Sequence, residues 1–246
     1  MATVVVTGPT GAIGSAAVAA LKERRANVLA LSRPGLDLSS MASVRAAARE
    51  LPLRIDVLMH VASVFTTKWQ KTKDGFELML ATNYLGPFLL TNLLRDRLSG
   101  GRVITVTAPS TTHVDLDRLL DRDRFHAFHT FGATKAASLM FTLELARRAK
   151  RWDVRANAFH PGLVRSELMR EAPRPIRVAS RLFSRSPRQA GIDLAELALS
   201  PAFAGTTGWF FKGTRRIDPP KAVLDVAQQA ALWKRTAELV ELEGGF

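Results

Sequence analysis

The residue of this chain best placed for chemistry is a lysine in a mostly apolar helical stretch. Lys135 follows Phe131 by four residues, so the two side chains share one side of a helix. An ammonium group in such a place can bind a ribose, an acidic substrate group or a developing enolate. A lysine that is deprotonated in a dry pocket can act as a base. The ring of Phe131 can donate no proton, so proton transfer here depends on Lys135 or on another residue.

A second chemical feature is a glycine-rich segment near the amino terminus. Residues 7–14 follow a strand-like run and open a helical pattern. The glycines let a phosphate approach the backbone, and the helix start offers unpaired N–H groups to a pyrophosphate. The residues predicted to bind a dinucleotide in this turn are Thr7, Gly8, Thr10, Gly11, Ile13 and Gly14.

Histidines near the predicted strand ends offer further acids and bases, because imidazole titrates near neutral pH. His60 lies at the end of one strand-like run and is either a new acid or base or a cap for strand-end hydrogen bonds. His126 and His129 lie just before the predicted helix of Lys135. Each of these two could replace a missing proton donor.

The composition of the 246-residue chain is that of a globular protein without a membrane span. Hydrophobic residues make up 47% and the mean hydropathy is +0.03. No apolar run reaches the roughly 18 residues that a transmembrane helix needs. The chain enters a strand directly, without the basic and apolar segments of a secretion signal. The absence of cysteine excludes disulfides and Cys-ligated zinc, so we predict a cytoplasmic protein without a metal site.

The net charge of +13 is partly concentrated in one segment. Residues 161–190 contain seven Arg and two Glu, whereas residues 191–246 contain six basic and seven acidic side chains. No basic run is interleaved with aromatic residues and no zinc-finger spacing occurs, so nucleic-acid binding is not predicted. The basic segment is either a solvated surface or a site that meets an acidic molecule.

Strand-like and helical patterns alternate along the whole chain. This order predicts an α/β fold, with a parallel sheet covered by helices on both faces. The strand-like runs cover residues 3–7, 27–32, 55–61, 102–107, 154–160 and 208–211. The helical patterns cover residues 12–25, 41–51, 75–98, 130–150, 187–199 and 221–241. No linker or repeat divides the chain, so we predict one domain over residues 1–246.

Several segments together resemble the short-chain dehydrogenase/reductase family, in particular its retinol-dehydrogenase-like branch. They are the glycine-rich turn and residues 72–77, 82–91, 128–141, 160–166 and 231–242. The resemblance implies a doubly wound Rossmann-like fold and a nicotinamide cofactor. Members usually reduce a carbonyl with a tyrosine as proton donor and a serine that polarises the carbonyl. A lysine lowers the tyrosine pKa and holds the nicotinamide ribose, and Lys135 matches it.

The resemblance also implies the remaining cofactor contacts. Arg33 lies where NADP-preferring relatives place a cation for the ribose phosphate, and Asp37 matches an aspartate that contacts adenine. The other matching residues are Ala62 and the segment that closes over the nicotinamide, which contributes Pro161, Gly162 and Val164. Residues 166–186 match the family's substrate lid. The lid is basic here, which predicts an acidic small molecule or one carried by an acyl carrier protein.

The chain departs from the family at the reacting centre. Phe131 stands in place of the tyrosine and Ala108 in place of the polarising serine. Thr107 matches the first of two serines at this strand end, and Ser110 could supply a hydroxyl. Asn83 matches an asparagine that kinks a helix and holds a water of the proton relay. The candidate catalytic residues are therefore Lys135, Asn83, Thr107, Ser110 and His129.

The connection after the second strand is also shorter than in the family. Three residues separate Arg33 from Asp37, where the family has a helix and a strand. We predict a direct step into the next helix, with Ser39 or Ser40 as its N-cap. The sheet should then have six strands instead of seven and a thinner wall around adenine. For the cofactor, two outcomes stay open, namely NADP at a weakened site or no cofactor.

These departures disfavour ordinary alcohol–ketone interconversion, because loss of a general acid typically lowers a rate about 10²–10⁴-fold. The first hypothesis is a repurposed enzyme that acts on a small molecule by non-hydride acid/base chemistry. Cyclisation, dehydration or isomerisation in a bacterial natural-product pathway would fit. The second is an NADP-dependent oxidoreductase with another proton source. The third is a non-catalytic interaction protein. Relatives also often pair through helices that match residues 75–98 and 130–150, which suggests a homo-oligomer.

Overall fold

A single parallel sheet organises the chain. The computed structural model describes residues 1–165, 168, 170, 171 and 185–246. Seven strands lie in the order β2-β1-β3-β4-β5-β6-β7. They are β1 (Thr3–Thr7), β2 (Asn27–Leu31), β3 (Val57–His60), β4 (Arg102–Val106), β5 (Arg155–His160), β6 (Phe210–Lys212) and β7 (Arg215–Ile217). Strands β1 to β6 run parallel, and β7 pairs antiparallel with β6.

Helices cover both faces because the strands carry apolar side chains on both sides. In β1, Val4 and Val6 face one layer and Val5 faces the other, and all three are fully buried. The first layer consists of α1 (Ala12–Glu23) and α7 (Pro187–Leu199). The second contains α2 (Met41–Glu50), α3 (Leu78–Leu80), α4 (Gly86–Leu93), α5 (Leu116–Leu120), α6 (Ala127–Arg148) and α8 (Val226–Leu239). The predicted doubly wound α/β class is confirmed.

The predicted number of six strands is wrong, because the sheet has seven. The additional strand, β7, follows β6 through a two-residue turn in which Gly213 adopts a φ of +62°. Strand β7 has only three residues, and two of them are Arg215 and Arg216. It is therefore too short and too polar to show an alternating apolar pattern. Charged side chains are tolerated there because β7 is an edge strand. The sequence also gave no signal for α5, which spans five residues.

The short connection after β2 leads directly into α2, as the sequence predicts. Ser40 is the N-cap of α2, and its hydroxyl accepts a hydrogen bond from the Ser43 amide. No described strand pairs with the outer side of β2, which is therefore an edge of the sheet. The wall that a further helix and strand would form beside the glycine-rich turn is missing from the described part of the chain.

The long helical pattern over residues 75–98 is interrupted in the structure. α3 continues into a π-helical turn at Ala81–Leu85, which leads into α4, and a 3₁₀ turn follows at Arg95–Leu98. A π-turn inserts one residue into the helical ladder and redirects the helix. Asn83 lies in this turn, so the predicted kink at Asn83 has a defined backbone cause.

The last helix, α8, packs across α4 and α6. The Trp233 ring lies 4.8 Å from the Phe88 ring and 5.7 Å from the Phe141 ring, measured between centroids. The Tyr84 hydroxyl and the Thr236 hydroxyl are 2.7 Å apart and hydrogen-bonded. The segments that match the pairing helices of relatives are therefore covered by the chain's own α8. Within the described residues, no helix combines the length and the apolar character needed to cross a membrane.

Candidate active site

The glycine-rich turn joins β1 to α1 at the carboxyl edge of the sheet. Gly8 adopts a φ of +67°, and a Cβ atom there would lie 2.6 Å from the Ala62 backbone. A Cβ atom on Gly14 would lie 2.0 Å from the Gly8 carbonyl oxygen. The Thr7 hydroxyl is buried and accepts hydrogen bonds from the amides of Val61 and Ala62. The turn is therefore held tightly against the end of β3, and its shape depends on glycine.

The start of α1 is open to a ligand. Gly11 is the N-cap and supplies no side-chain cap, and Thr10 and Gly11 are exposed. A Cβ atom on Gly11 would meet no atom closer than 3.6 Å, so the space in front of the helix is free. Ile13 lies half-buried in the first turn of the helix. These residues fit the pyrophosphate of a dinucleotide, because uncapped N–H groups at a helix start bind phosphate oxygens.

The two residues predicted for the adenosine end lie beside this turn. Arg33 is exposed just beyond β2, with no ion-pair partner in the part of the chain that the structure describes. Asp37 is half-buried, and its Oδ1 atom accepts hydrogen bonds from the amide and the hydroxyl of Ser39. Asp37 thus stabilises the turn before α2 through its Oδ1 atom. Its Oδ2 atom can accept a hydrogen bond from another donor. Arg33 is free to meet a phosphate.

Lys135 lies on α6 with its ammonium group turned toward the loop after β3. The side chain is only 7% exposed. Its Nζ atom donates to the Ser63 hydroxyl oxygen at 2.8 Å and lies 5.1 Å from the centre of the Phe131 ring. Burial lowers the pKa of Lys135 from 10.5 to about 8. The predicted pair of Lys135 and Phe131 on one helix side is therefore present, with an aromatic ring as the neighbour of the ammonium group.

Asn83 connects the π-turn to the loop that carries Ser63. Its Oδ1 atom accepts from the Val64 amide at 2.8 Å and from the Ser63 hydroxyl at 3.3 Å. Its Nδ2 atom donates to the Val64 carbonyl at 3.0 Å and to the Thr134 hydroxyl at 3.2 Å. Lys135, Ser63 and Asn83 thus form one hydrogen-bonded chain. The sequence identifies the two ends of this hydrogen-bonded chain, Lys135 and Asn83, but not Ser63, which lies in the loop after β3.

The two predicted hydroxyl residues lie near α6 and have different surroundings. Thr107 is buried at the end of β4, and its hydroxyl donates to the Lys135 carbonyl at 2.7 Å. It anchors α6 to the sheet. The Ser110 hydroxyl accepts from the Thr112 amide and lies beside Gly132, one helical turn before Lys135. Neither hydroxyl contacts the Lys135 ammonium group, so their catalytic roles stay predictions.

The histidines have mainly structural surroundings. His60 is buried, its Nε2 atom lies 2.7 Å from the Thr91 hydroxyl, and burial lowers its pKa to about 3. This contact is with a side chain of α4, and the Nδ1 atom of His60 has no hydrogen-bond partner among the described residues, so both alternatives for His60 stay predictions. The Nδ1 atom of His126 accepts from the His129 amide, so His126 caps α6 and begins it three residues earlier than predicted. Burial and the nearby Arg118 lower the pKa of His129.

An apolar cluster borders the lysine on its outer side. The Phe65 and Phe131 rings meet edge to face at 5.5 Å, and the Phe65 and Phe128 rings are 5.1 Å apart. Phe128 is exposed at 37%, whereas Phe65 is buried. Val64 and Phe125 complete the wall. Sequence reasoning did not identify this cluster, because Phe65 comes from a loop whose position depends on Asn83.

The segment predicted to close over the nicotinamide follows β5. Pro161 is buried, Gly162 is half-buried with a φ of +77°, and Val164 forms an isolated bridge with Arg185. The guanidinium group of Arg185 pairs with the buried Asp193 at 3.3 Å. The predicted lid over residues 166–186 lies almost wholly outside the described residues. The ion pair between Arg185 and Asp193 holds the chain just before α7 against that helix.

The chain is similar to known oxidoreductases in sequence. A family model described as short chain dehydrogenase matches residues 35–176. The chain is 33% identical to human retinol dehydrogenase 14 over 84% of this chain and 66% of that protein, so it spans slightly less than two thirds of that relative. It is 30% identical to human retinol dehydrogenase 13 over 98% of this chain and 85% of that protein. It is 32% identical to the "Putative daunorubicin C-13 ketoreductase DnrU" of Streptomyces sp. (strain C5), over 97% of this chain and 92% of that protein.

Solved structures share the same architecture. An uncharacterized protein from Mycobacterium Paratuberculosis aligns with a TM-score of 0.78 and 28% identity, over 100% of this chain and 96% of that chain. The 3-alpha-hydroxysteroid dehydrogenase from Pseudomonas sp. B-0831, solved as a complex with NADH, aligns with a TM-score of 0.72 over 86% of this chain and 96% of that chain. Its 20% identity supports the fold alone. The family model, the relatives and the open glycine-rich turn agree, and the chain belongs to the short-chain dehydrogenase family.

Proposed function

We propose that this protein is an enzyme that acts on a small molecule by non-hydride acid/base chemistry centred on Lys135. Cyclisation, dehydration and isomerisation are the reaction types that fit. The observation that carries the proposal is the surroundings of the ammonium group. The ammonium group contacts the Ser63 hydroxyl and the Phe131 ring. The family resemblance implies a tyrosine phenol at the position of Phe131.

The acid/base proposal draws support from the protonation behaviour of Lys135. With a pKa lowered to about 8 by burial, both the ammonium form and the neutral amine are populated near neutral pH. The ammonium form can hold a developing enolate, and the amine can accept a proton from carbon. Ser63 and Asn83 fix the direction of the Nζ atom through their hydrogen bonds.

The substrate proposal follows from the wall beside Lys135. Phe65, Phe128 and Phe131 favour a flat, apolar molecule that carries one carbonyl or acidic group toward the lysine. The seven arginines of residues 161–190 favour an acidic substituent or an acyl carrier protein as the donor of the substrate. Natural-product biosynthesis and a cytoplasmic location remain part of this proposal.

A second candidate function is an NADP-dependent oxidoreductase with an unusual proton source. The open start of α1, the unpaired Arg33 and the oxidoreductase names of the relatives favour it. When bound, the dinucleotide would supply or accept a hydride. Lys135 would then hold the nicotinamide ribose, and the proton would come from the substrate or from solvent.

One experiment separates the two functions. The protein is incubated in D₂O with 2-tetralone and related aryl ketones, with and without NADPH, and the products are followed by NMR. Acid/base chemistry predicts deuterium exchange at the acidic carbon next to the carbonyl without cofactor. This exchange should be lost in Lys135→Met and kept in Lys234→Met, which changes an exposed lysine on α8. Alcohol formation only with NADPH, without exchange, would replace the first proposal by the second.

Cofactor binding is tested separately by the fluorescence of NADPH and NADH. If NADP is bound, Arg33→Glu should weaken the binding of NADPH by at least about tenfold and leave NADH nearly unchanged, because only NADPH carries the ribose phosphate. Arg49→Glu is the matched control, since Arg49 is exposed at the far end of α2. Micromolar NADPH binding that depends on Arg33 would support the oxidoreductase. An absence of binding at millimolar concentrations of both cofactors would exclude it.

A further inference from the structure

Lys135 is the one lysine of the chain that is buried, because every other lysine is exposed. No carboxylate lies within ion-pair distance of its Nζ atom among the described residues. A buried ammonium group without a counter-charge is costly, so the surroundings favour the neutral amine. A neutral primary amine is a nucleophile as well as a base.

The hydrogen bond of Lys135 suits a reaction at the nitrogen atom. The Nζ atom donates to Ser63, and the Ser63 hydroxyl is directed to Asn83 Oδ1, which also accepts from the Val64 amide. The Ser63 hydroxyl therefore touches the nitrogen atom and has a second hydrogen-bond partner. It can pass a proton between the nitrogen atom and an oxygen atom bound next to it.

The surface beside the amine is apolar and aromatic. The Phe131 ring covers one side of the Nζ atom, and Phe65 stands edge-on against that ring. Phe128 extends this surface to the protein exterior. A carbonyl compound that approaches Lys135 along these rings loses its water shell, and this favours loss of water from an intermediate.

We propose that Lys135 forms a reversible imine with an apolar aldehyde or ketone. The Nζ lone pair attacks the carbonyl carbon, and a proton moves from nitrogen to oxygen through Ser63 to give a carbinolamine. The remaining N–H proton passes through Ser63 to the carbinolamine hydroxyl, the carbon–oxygen bond breaks, water leaves and the nitrogen electron pair forms a carbon–nitrogen double bond. The amine and the carbonyl compound thus give an imine and water, without any oxidation or reduction. The imine makes the neighbouring carbon acidic, so it supplies a route to isomerisation or dehydration.

The test traps the imine on the whole protein. The protein is incubated with cinnamaldehyde and sodium cyanoborohydride near pH 7.5, and the adducts are located by peptide mapping with mass spectrometry. The reductant converts an imine into a stable secondary amine. We expect one adduct, at Lys135, formed at least about tenfold faster than at any exposed lysine, because burial lowers the pKa of Lys135 to about 8 and so raises its share of nucleophilic amine. Glyoxylate, which is small and anionic, should label Lys135 far less than cinnamaldehyde.

Three variants sharpen the result. Lys135→Arg should abolish the fast adduct, because arginine keeps the charge but forms no such imine. Lys234→Arg, at an exposed position, should leave it unchanged. Ser63→Ala should slow trapping severalfold while the adduct stays at Lys135, since the proton carrier is lost and the nucleophile is kept.

Labelling of the exposed lysines at the same rate as Lys135 would overturn the proposal, and this is read from the wild-type map even if Lys135→Arg does not fold. The inference uses the same lysine as the proposed function but a different bond. Trapping without deuterium exchange would leave the imine standing and remove the acid/base proposal, and exchange without trapping would do the reverse.

Discussion

At the scale of single residues, the proposed chemistry depends on how water is excluded from the Lys135 amine. The family resemblance singles out Lys135 in the sequence, and the structure shows that its ammonium group is buried. The Phe131 ring and the Ser63 hydroxyl replace water around the Nζ atom. A lysine that is desolvated in this way favours proton loss in the folded state.

The stability of the protein should therefore depend on pH through Lys135. Its folded-state pKa of about 8 lies below the unfolded value of 10.5, so the unfolded state binds more protons between these values. The free energy of unfolding of the wild type should rise relative to Lys135→Met as the pH increases from about 8 to 10.5. The relative gain is on the order of 3 kcal/mol. Urea unfolding of both proteins from pH 7 to pH 10.5 measures it.

The composition makes this measurement clean. The chain holds one tyrosine and no cysteine, and burial raises the pKa of Tyr84 above its usual range. Parallel stability curves for the wild type and Lys135→Met would show that the Lys135 amine is not desolvated, and would remove the basis for both proposals.

The sequence predicts contacts between residues of one helix but not contacts that come from a distant loop. Lys135 and Phe131 are four residues apart on one helix, so their proximity follows from helix geometry. Ser63 and Phe65 reach the lysine from a loop after β3. No local pattern places a loop residue, and their contribution became visible only with the fold.

At the scale of elements, the π-turn at Ala81–Leu85 positions this loop. Asn83 lies in the turn, and its amide satisfies both the N–H and the C=O of Val64. The π-turn thereby directs the Asn83 side chain to the loop after β3, where its amide fills the hydrogen-bonding role that a bound water could otherwise take. The family resemblance implies a kink at Asn83, and the contact with Val64 gives the turn a structural role.

Replacing Asn83 by alanine should loosen the loop that carries Ser63. Both backbone groups of Val64 lose their partner, which costs on the order of 1–3 kcal/mol of unfolding free energy. The amide of Val64 should exchange with D₂O faster, as measured by mass spectrometry of the peptide that contains it.

Asn92→Ala is the matched control for this change. Asn92 is a buried asparagine of α4 that contacts Phe88 and the amide of Phe246, far from the loop. The control should lower stability but leave the Val64 amide protected. Equal exchange at Val64 in both variants would indicate that Asn83 does not hold the loop.

Long helices with a periodic apolar pattern were predicted from the sequence, whereas the shortest charged elements were not. α7 was bounded correctly at Pro187–Leu199, because a proline at the first position and an amphipathic repeat mark it. The strand β7 and the helix α5 are three and five residues long and carry charged side chains. Tertiary pairing forms such short elements, and a periodic pattern cannot indicate them.

At the scale of the whole molecule, α8 packs against the two helices through which relatives often pair. The helices that match the pairing surfaces of relatives are buried beneath Trp233 and its neighbours. The resemblance suggests an oligomer, and we expect it to use surfaces other than these helices.

Removing the Trp233 ring should therefore affect folding and leave the assembly unchanged. Trp233→Ala empties a site that is only 6% exposed, and it should lower the free energy of unfolding by about 3–5 kcal/mol. The molar mass from light scattering should equal that of the wild type. Leu224→Ala, at a side chain that is 46% exposed, should change stability by less than about 1 kcal/mol. A lower molar mass for Trp233→Ala at unchanged stability would show that α8 lies in a contact between chains.

The bare outer side of β2 has a consequence for solubility. No strand among the described residues pairs with the outer N–H and C=O groups of β2 (Asn27–Leu31), and such an edge can template the addition of strands from other molecules. Arg25 stands just before this strand, and Arg33 and Pro34 stand just after it, whereas Arg24 is ion-paired with Glu196. Repulsion between like charges and the missing N–H of proline act there as gatekeepers against self-association. The short connection after β2 thus leaves an edge strand beside which these three flanking residues should oppose the addition of strands from other molecules.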